Sequence, residues 1–510
     1  MPQRNDLLRN ALPGLAIVAA SLIPALLGSG PSTPPPTSAP GPPPVVAFSA
    51  HPKIFFGGLH AHTSYSDGLG TPADAFTRAR DLGKMDFLAV TEHNHIEADG
   101  SGERKDGILI AKQPALYNGA DPASLMSAAR TFTVDDQFVA LAAQEFSTIS
   151  SGNHTNVFEI KDIINVTNGD YKTLFDTWLP QHPDSLGEPP LAQFNHPDVK
   201  ADLNPNTPVK ERENDYGYGE FNKSFAELRQ HAEKNVSLIE IVSGPALTDG
   251  SDLPIKSGNR HERDYWYYLN EGFHLAPTAN QDNHFRTWGT ITHARTAVLA
   301  DRLTKADIVH ALKARRVYAT EDQNLQLHFR VNGQEMGSII RVPQPQDLTI
   351  EVEIADPDES NATYKVELYR DSVGGPMIED PVETQEQEGD GTLSFTDQRF
   401  ESGVVFFFIK VSQEGADGKE DFAWTAPVWL ELGQPIPTPT PTPAPPSQPT
   451  PTPIASPPPS AVKFVSSRKS DVYHFANCAD VANIKPENRL ETTTPPEDKT
   501  LHKNCPRIKH

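Results

Sequence analysis

Between residues 46 and about 320, short apolar runs alternate with stretches whose apolar residues recur at helical spacing. The runs fall at 54–56, 87–90, 138–143, 157–160, 191–194, 238–242 and 275–279. Continuous apolar runs of this length predict strands buried on both faces. Thr71-Pro72 supplies an N-cap and a first-turn proline, and Gly83 a stop, which predicts a helix between them. Further helices are expected at 223–234, 260–271 and 304–315. Strands alternating with helices predict an α/β fold built on a parallel sheet or barrel. From 325 to 432 the period drops to two, with alternating runs at 348–354, 365–369, 404–411 and 428–432 between Gly/Asp turns. That pattern predicts an immunoglobulin-like β-sandwich.

Composition adds boundaries. The chain has 510 residues, too many for one ordinary core. Two proline-rich tracts divide it: residues 31–45 and the Thr-Pro repeat of 434–460, both expected to be extended spacers. The expected order is therefore a leader at 1–30, a linker at 31–45, an α/β body at 46–322, a β-sandwich at 323–433, a linker at 434–460 and a small module at 461–510. In the leader, Arg4 and Arg9 precede an apolar run from 11 to 27, the pattern of a signal peptide or membrane anchor. Export is expected, with the body outside the cytoplasm, secreted, periplasmic or membrane-anchored. The net charge of -23 argues against non-specific nucleic-acid binding, which needs a basic face.

Candidate chemistry sits at the ends of the apolar runs. Leu-His60-Ala-His62-Thr-Ser-Tyr-Ser-Asp67-Gly follows the first, and Thr91-Glu92-His93-Asn94 ends the second. Residues i and i+2 of a strand share a face, so His60 and His62 project together. Glu145, His154, His196, Asp282 and His284 fall at later strand ends. In a parallel barrel such ends converge on one mouth. Nine His, Asp and Glu residues exceed the needs of one ion and suit two or three divalent metals with a bridging carboxylate. The other histidines, such as His51, His182, His231, His261 and His310, are expected to be surface or core residues. Glu92 is expected to steer His93 from behind, and Ser64 and Ser66 to shape the loop. Arg295, in His-Ala-Arg-Thr, is the candidate catalytic cation that would neutralise an oxyanion at the mouth, with Arg286 a weaker one; a surface or interface position is the alternative for Arg295.

This set of motifs resembles the polymerase-and-histidinol-phosphatase (PHP) superfamily. Leu-His-x-His-Thr-x-x-Ser-Asp-Gly, Thr-Glu-His-Asn, Gln-Glu-Phe-Ser, Asn-His-Pro and Gln-Asp-Asn-His occur in the family's order over residues 55 to about 320. Gly-Asn-His-x-Asn, the stretch from Arg315 to Asp322 and the following sandwich look more like the carbaryl-hydrolase (CehA/McbA) branch. The resemblance implies a distorted (β/α)7 barrel with a trinuclear site of zinc, manganese or iron. Its pattern would place one ion on His60, His62, Glu145 and Asp282, a second on Glu145, His154 and His196, and a third on Asp67, His93 and His284. Asp67 stands where other members have His.

Such a cluster suits hydrolysis of a phosphoester by activated water, with no protein nucleophile. A carboxyl- or carbamate-ester hydrolase, a PHP-type exonuclease and a non-catalytic metal-containing envelope-binding protein are the alternatives. Partners would be a small-molecule or polymer ester and, through tail or sandwich, the cell envelope. Segments 96–133 and 199–222 are long loops that would set substrate choice, with Tyr216 and Tyr218 either a lid or part of a solvated linker. In the tail, His474-x3-Cys478 and His502-x2-Cys505 suit one structural zinc, with a Cys478–Cys505 disulfide as the alternative. The tail resembles the Ada-type metal-binding module, which uses four cysteines; His474 and His502 would replace two of them.

Overall fold

The computed structural model describes residues 51–433, apart from 95–109, 147–153, 198–220, 250–257 and a few shorter gaps, together with parts of 464–501. The leader, both proline-rich tracts, Tyr216, Tyr218, Cys478, His502 and Cys505 lie outside the described residues. The chain divides into two compact units, Met1–Pro435 and Ile436–His510.

The first unit is a mixed α/β structure on one large sheet with smaller sheets added. Its opening strands are β1 (Lys53–Gly58), β2 (Phe87–His93), β3 (Val139–Phe146), β4 (His154–Phe158), β5 (Ala192–Asn195), β6 (Val236–Ser243), β7 (Asn259–Arg260), β8 (Ala276–Asn280), β9 (Arg295–Ala300) and β10 (Val317–Thr320). The order is β10-β9-β1-β2-β3-β4-β5-β6, with β8 also on β6. The sheet curls until the segment after β8 meets the segment after β1: Asp282 N–H donates to the His60 carbonyl at 3.1 Å, and Ala61 bridges Asn283 in parallel. This contact draws the two histidine-bearing ends together.

All seven apolar runs are strands, and most neighbours are parallel as expected. β4 is the exception, antiparallel to both β3 and β5. Only seven residues separate it from β3, which permits a reversal but is too few for a parallel crossover. β9 and β10, which lack a strong run, complete the edge as antiparallel partners.

The helix Pro72–Asp81 forms as its signals indicate. Thr71 Oγ1 accepts from Asp74 N–H at 3.2 Å while Asp74 Oδ2 accepts from Thr71 N–H at 2.9 Å, a reciprocal capping box. It buries Ala75, Phe76 and Ala79 against the helix Leu125–Phe132 and β2. That second helix corrects the reading of 96–133 as one long loop: Leu125, Ala128 and Ala129 are core residues.

Among the described residues of 326–432, the regular structure is all β. One four-stranded sheet includes Gln326–Val331, Ile350–Ala355 and Gly391–Phe395. Facing it, Thr363–Ser372, Val404–Glu414, Glu420–Thr425 and Val428–Leu432 extend the large sheet. Alternate residues of both, among them Phe329, Val352, Val366 and Phe407, share one core. The large sheet is continuous with the α/β part, because Glu420–Thr425 pairs with β10 through Tyr318–Thr425, Ala319–Trp424 and Thr320–Ala423.

In the second unit, four short strands pair in the order Arg489–Thr492, Phe464–Ser467, Val472–Phe475, Thr500–Leu501. His474 is buried on the third of these, opposite Val465.

Candidate metal centre

The carboxyl ends of the parallel strands form one rim. His60 and His62 follow β1, His93 ends β2, Glu145 is the penultimate residue of β3, His196 follows β5, and Asp282 and His284 follow β8. His154 reaches the same rim because β4 runs backwards: its first residue stands beside the last residue of β5, in register with Asn195. The reversal that departs from a parallel sheet thus delivers a member of the site.

Glu145 is the centre of the group. Its Oε1 lies 3.2 Å from His60 Nε2, 3.0 Å from His154 Nδ1 and 3.4 Å from His196 Nε2. Its Oε2 lies 3.1 Å from both His62 Nε2 and His93 Nδ1. Asp282 Oδ1 is 3.1 Å from His60 Nε2 and from His62 Nε2, yet at angles that make no hydrogen bond. His284 Nε2 stands 3.2 Å from Asp67 Oδ1. Three overlapping sets emerge: His62, Asp67, His93 and His284; His60, His62 and Glu145; and His93, Glu145 and His154. His62 and His93 each take part in two sets, more sharing than the resemblance implied.

The spacing tests whether metals fit. Donors about 2.1 Å from a common cation lie about 3.0 Å apart in an octahedron and about 3.4 Å apart in a tetrahedron. The separations around Glu145 and Asp282 fall in that band. One proton between each pair cannot satisfy so many nitrogens and oxygens converging on the same atoms. The donor set, imidazole and carboxylate without thiolate, suits zinc, manganese or iron.

Outer partners set the tautomers. His60 Nδ1–H donates to Glu240 Oε1 at 2.8 Å and His284 Nδ1–H to the Asp282 carbonyl at 2.9 Å, so both rings present Nε2 inward. His62 Nδ1 meets Ser66 Oγ at 3.3 Å, and Ser66 donates to Glu92. Glu92 also accepts from the Thr63 N–H and hydroxyl. Glu92 therefore holds the first-motif loop and, through Ser66, His62; it does not steer His93. Adjacent strand residues point to opposite faces, which separates its side chain from that of His93.

Two site residues occupy left-handed backbone, His196 at φ 28° and Asp282 at φ 48°. Such conformations persist only where surroundings over-determine them. His196 N–H donates to Glu240 Oε2 at 2.7 Å, and the Asp282 N–H is held by the His60 carbonyl. Glu240 thus orients one ligand ring and one ligand backbone. Sequence reasoning missed it, although a carboxylate inside the apolar run of β6 was the available signal: a fully buried acid needs a partner. Glu240→Gln is expected to lower metal affinity by about 10–100-fold with the fold intact, measured by competition with a chromophoric chelator.

Arg295 does not serve the rim. Its side chain is fully buried, and four of its N–H groups donate to the carbonyls of Thr292, Ala294, Gly83 and Gly289 at 2.8–3.1 Å. It ties the loop after β8 to the end of the helix Pro72–Asp81. Burial pushes its guanidinium down to about 10. Arg286 is exposed, near Asp74 at 3.6 Å. Arg295→Met would orphan several carbonyls and is expected to cost about 3 kcal/mol or more, read as a lower melting temperature with unchanged metal content in the folded fraction.

The site's charges are strongly coupled. Burial pushes the His62 imidazolium down, but Asp282 and Glu145 outweigh it and carry it up to about 10. His60 is raised for the same reason, against burial, by Asp282, Glu145 and Glu240. Asp67, Glu145 and Asp282 are held below the ordinary carboxylate range because neighbouring imidazoles overcome burial. His93 and His154 are lowered, mainly by burial. A raised histidine in the metal-free protein stabilises it fully below the ordinary value of 6.5, and for His62 that contribution is lost as pH rises through about 10. At neutral pH, His60 and His62 therefore hold protons that a metal must displace. His196 is raised as well, against burial, by Glu145, so loading should release about two to three protons per molecule and tighten as pH rises. Calorimetry in buffers of different ionisation enthalpy measures this, and zero release would contradict it.

No protein-family profile matches the chain. A curated, uncharacterised protein of Chlamydia pneumoniae is 27% identical over 143 residues, 27% of this chain and 22% of its own length. The chain thus spans about a fifth of that relative. Among solved structures, a two-domain protein of Bacteroides vulgatus, described as containing a predicted PHP-like metal-dependent phosphoesterase, is similar with a TM-score of 0.35 and 14% identity, over 71% of this chain and 92% of that one.

Proposed function

We propose that this chain is a metal-dependent hydrolase of ester bonds, and that phosphoester hydrolysis at a di- or trinuclear centre is its reaction. The observation that carries the reading is the convergence of His60, His62, His93, His154 and His196 on Glu145, with Asp282 against His60 and His62 and with Asp67 beside His284, at ligand-to-ligand spacing. Bound divalent ions would acidify water and neutralise charge on the ester oxygens. His60, His62 and Glu145 form a closed floor, with side chains at most 1% exposed. His196, His154, Asp67 and Asp282, at 27%, 17%, 14% and 14%, face the open side, where an ester would enter. Glu240 and Glu92 hold His60 and His62 in place, and the Asn195 amide donates to Glu145 Oε1 at 2.8 Å, keeping that carboxylate turned between the imidazoles.

We read the curled sheet as the distorted (β/α)7 barrel of the PHP superfamily, followed by an immunoglobulin-like sandwich, a reading supported by the order of the motifs and the strand-end placement of the ligands. Export through residues 1–30, envelope attachment and a zinc-binding tail on His474, Cys478, His502 and Cys505 are proposals that rest on the sequence. No helix among the described residues is long and apolar enough to cross a membrane.

One observation favours a second reading. Neither Arg295 nor Arg286 turns toward the cluster, and hydrolysis of a carboxyl or carbamate ester demands less cationic help than that of a phosphate. The test is elemental analysis of residues 46–433 paired with turnover of aryl phosphates, phosphodiesters and carboxylesters before and after chelation. Two or three ions with chelator-sensitive turnover support the hydrolase, and the preferred ester selects the class. Metal without turnover would return the chain to the binding-protein reading, and no metal would sink both.

A further inference from the structure

Beneath the ligand rim the interior of the curled sheet carries a polar layer. Parallel barrels usually fill such space with branched apolar side chains. Here β5 contributes Gln193 and Asn195, and β8 contributes Thr278 and Asn280, each pair two residues apart and so on one strand face. All four are at most 1% exposed. Buried amides and hydroxyls are costly unless each finds a partner.

Their hydrogen bonds run as one circuit between two carboxylates of the site. Asn195 Nδ2 donates to Glu145 Oε1 at 2.8 Å, and Asn195 Oδ1 accepts from Gln193 Nε2 at 3.0 Å. Gln193 Oε1 accepts from the Thr278 hydroxyl at 3.0 Å, and Thr278 Oγ1 accepts from Asn280 Nδ2 at 3.1 Å. Asn280 Nδ2 also donates to Glu240 Oε1 at 3.0 Å, the oxygen that takes the His60 Nδ1–H. His60 Nε2 closes the circuit, 3.2 Å from Glu145 Oε1.

The two ends fix the direction of every amide. Leu59 N–H donates to Asn280 Oδ1 at 2.6 Å, so the Asn280 nitrogen must face Glu240 and Thr278. Ionised Glu145 accepts and cannot donate, so Asn195 must turn its nitrogen to Glu145 and its oxygen to Gln193. Gln193 is left with its nitrogen on Asn195 and its oxygen on the Thr278 hydroxyl. A reversed Gln193 would set its oxygen against that of Asn195. Turning Asn195 to relieve this would set oxygen against Glu145.

We propose that Gln193 and Thr278 are positioning residues of the metal centre. Among the described residues, neither hydrogen-bonds to a ligand side chain. Acting through Asn195 and Asn280, they fix the rotation of Glu145 together with the hold of Glu240 on His60. This role rests on the metal-centre reading above and extends it to the layer below the ligands.

Cobalt(II), a stand-in for zinc whose visible bands report ligand geometry, is the probe. It is titrated into the full chain and into variants that show native circular dichroism. T278V keeps the shape and removes the hydroxyl; it should bind cobalt about tenfold more weakly than the wild type, with shifted bands. Q193L should do the same, because it frees the Asn195 amide. T278S restores the hydroxyl and should return both affinity and bands. T425V controls for the loss of a buried hydroxyl as such: Thr425 Oγ1 accepts from the Ile409 N–H at 2.9 Å within the all-β region. It should lower the melting temperature and leave the cobalt bands alone. Wild-type affinity and bands in both T278V and Q193L, no recovery in T278S, or equal shifts in T425V would overturn the positioning role. A wild type that takes up no cobalt would overturn the metal-centre reading itself, and this role with it.

Discussion

Replacing Glu145 by glutamine is expected to lower hydrolytic turnover by on the order of 10³-fold or more and to remove at least one bound ion per molecule. The reason is geometric. Both carboxylate oxygens are engaged by imidazoles, three at Oε1 and two at Oε2, all within 3.4 Å. An amide keeps the shape but supplies one weakly ligating oxygen and no charge, so two like-charged ions held on either side of it would lose a bridging carboxylate. The Asn195 amide, which donates to Oε1, would then oppose an N–H if the new amide turned the wrong way. Stability of the metal-free protein should fall as well, because Glu145 helps hold the buried His60 and His62 imidazoliums and its loss leaves them less compensated. Metal analysis and turnover on the preferred ester, alongside a thermal melt, read all three quantities. Retained metal with retained turnover would remove Glu145 from the centre.

The second large effect concerns the boundary near residue 322. A chain cut there, residues 46–322, is expected to fail to fold, whereas residues 46–433 should melt in one cooperative step. β10 would lose its ladder to Glu420–Thr425 and become an open edge. Trp266, which packs on Tyr369 and Phe408 at 5.1 and 6.1 Å, and Tyr265, at 6.3 Å from Phe408, would be uncovered. Glu262 would lose Lys410 at 2.8 Å and the Trp424 indole N–H at 3.0 Å. Each large apolar side chain so exposed forfeits about 1.5–3 kcal/mol, against a total stability of about 5–15 kcal/mol for a typical domain. Soluble 46–322 with native near-ultraviolet circular dichroism would refute this expectation.

Much of the candidate site was legible because metal binding demands particular side chains at strand ends, and both are written locally. His60 and His62 share a face by the period of the strand, and His93 and Glu145 stand one to two polar residues beyond unbroken apolar runs. The seven runs all became strands for the same reason. Arg295 misled because sequence adjacency to Asp282 and His284 says nothing of direction; its guanidinium turned toward the distant Gly83 carbonyl and toward carbonyls of its own loop. Glu240 escaped notice because its partners, His60 and the backbone of His196, are 180 and 44 residues away. β9 and β10 were missed because their strand character comes from pairing with β1 and with Glu420–Thr425 rather than from their own composition.

The sequence alone determined which residue types could bind metal, that the seven apolar runs would be strands, and where the character of the chain changes, since each depends on near neighbours and on the two-residue and 3.6-residue periods. Tertiary structure decided the direction of β4, which carries His154 to the rim, and the sharing of Glu145 among five imidazoles. It also placed Glu240 behind His60 and joined the α/β part to the all-β region through one sheet. These are long-range pairings, and they follow from which edges and buried charges find partners in the folded chain, a condition that no local pattern encodes.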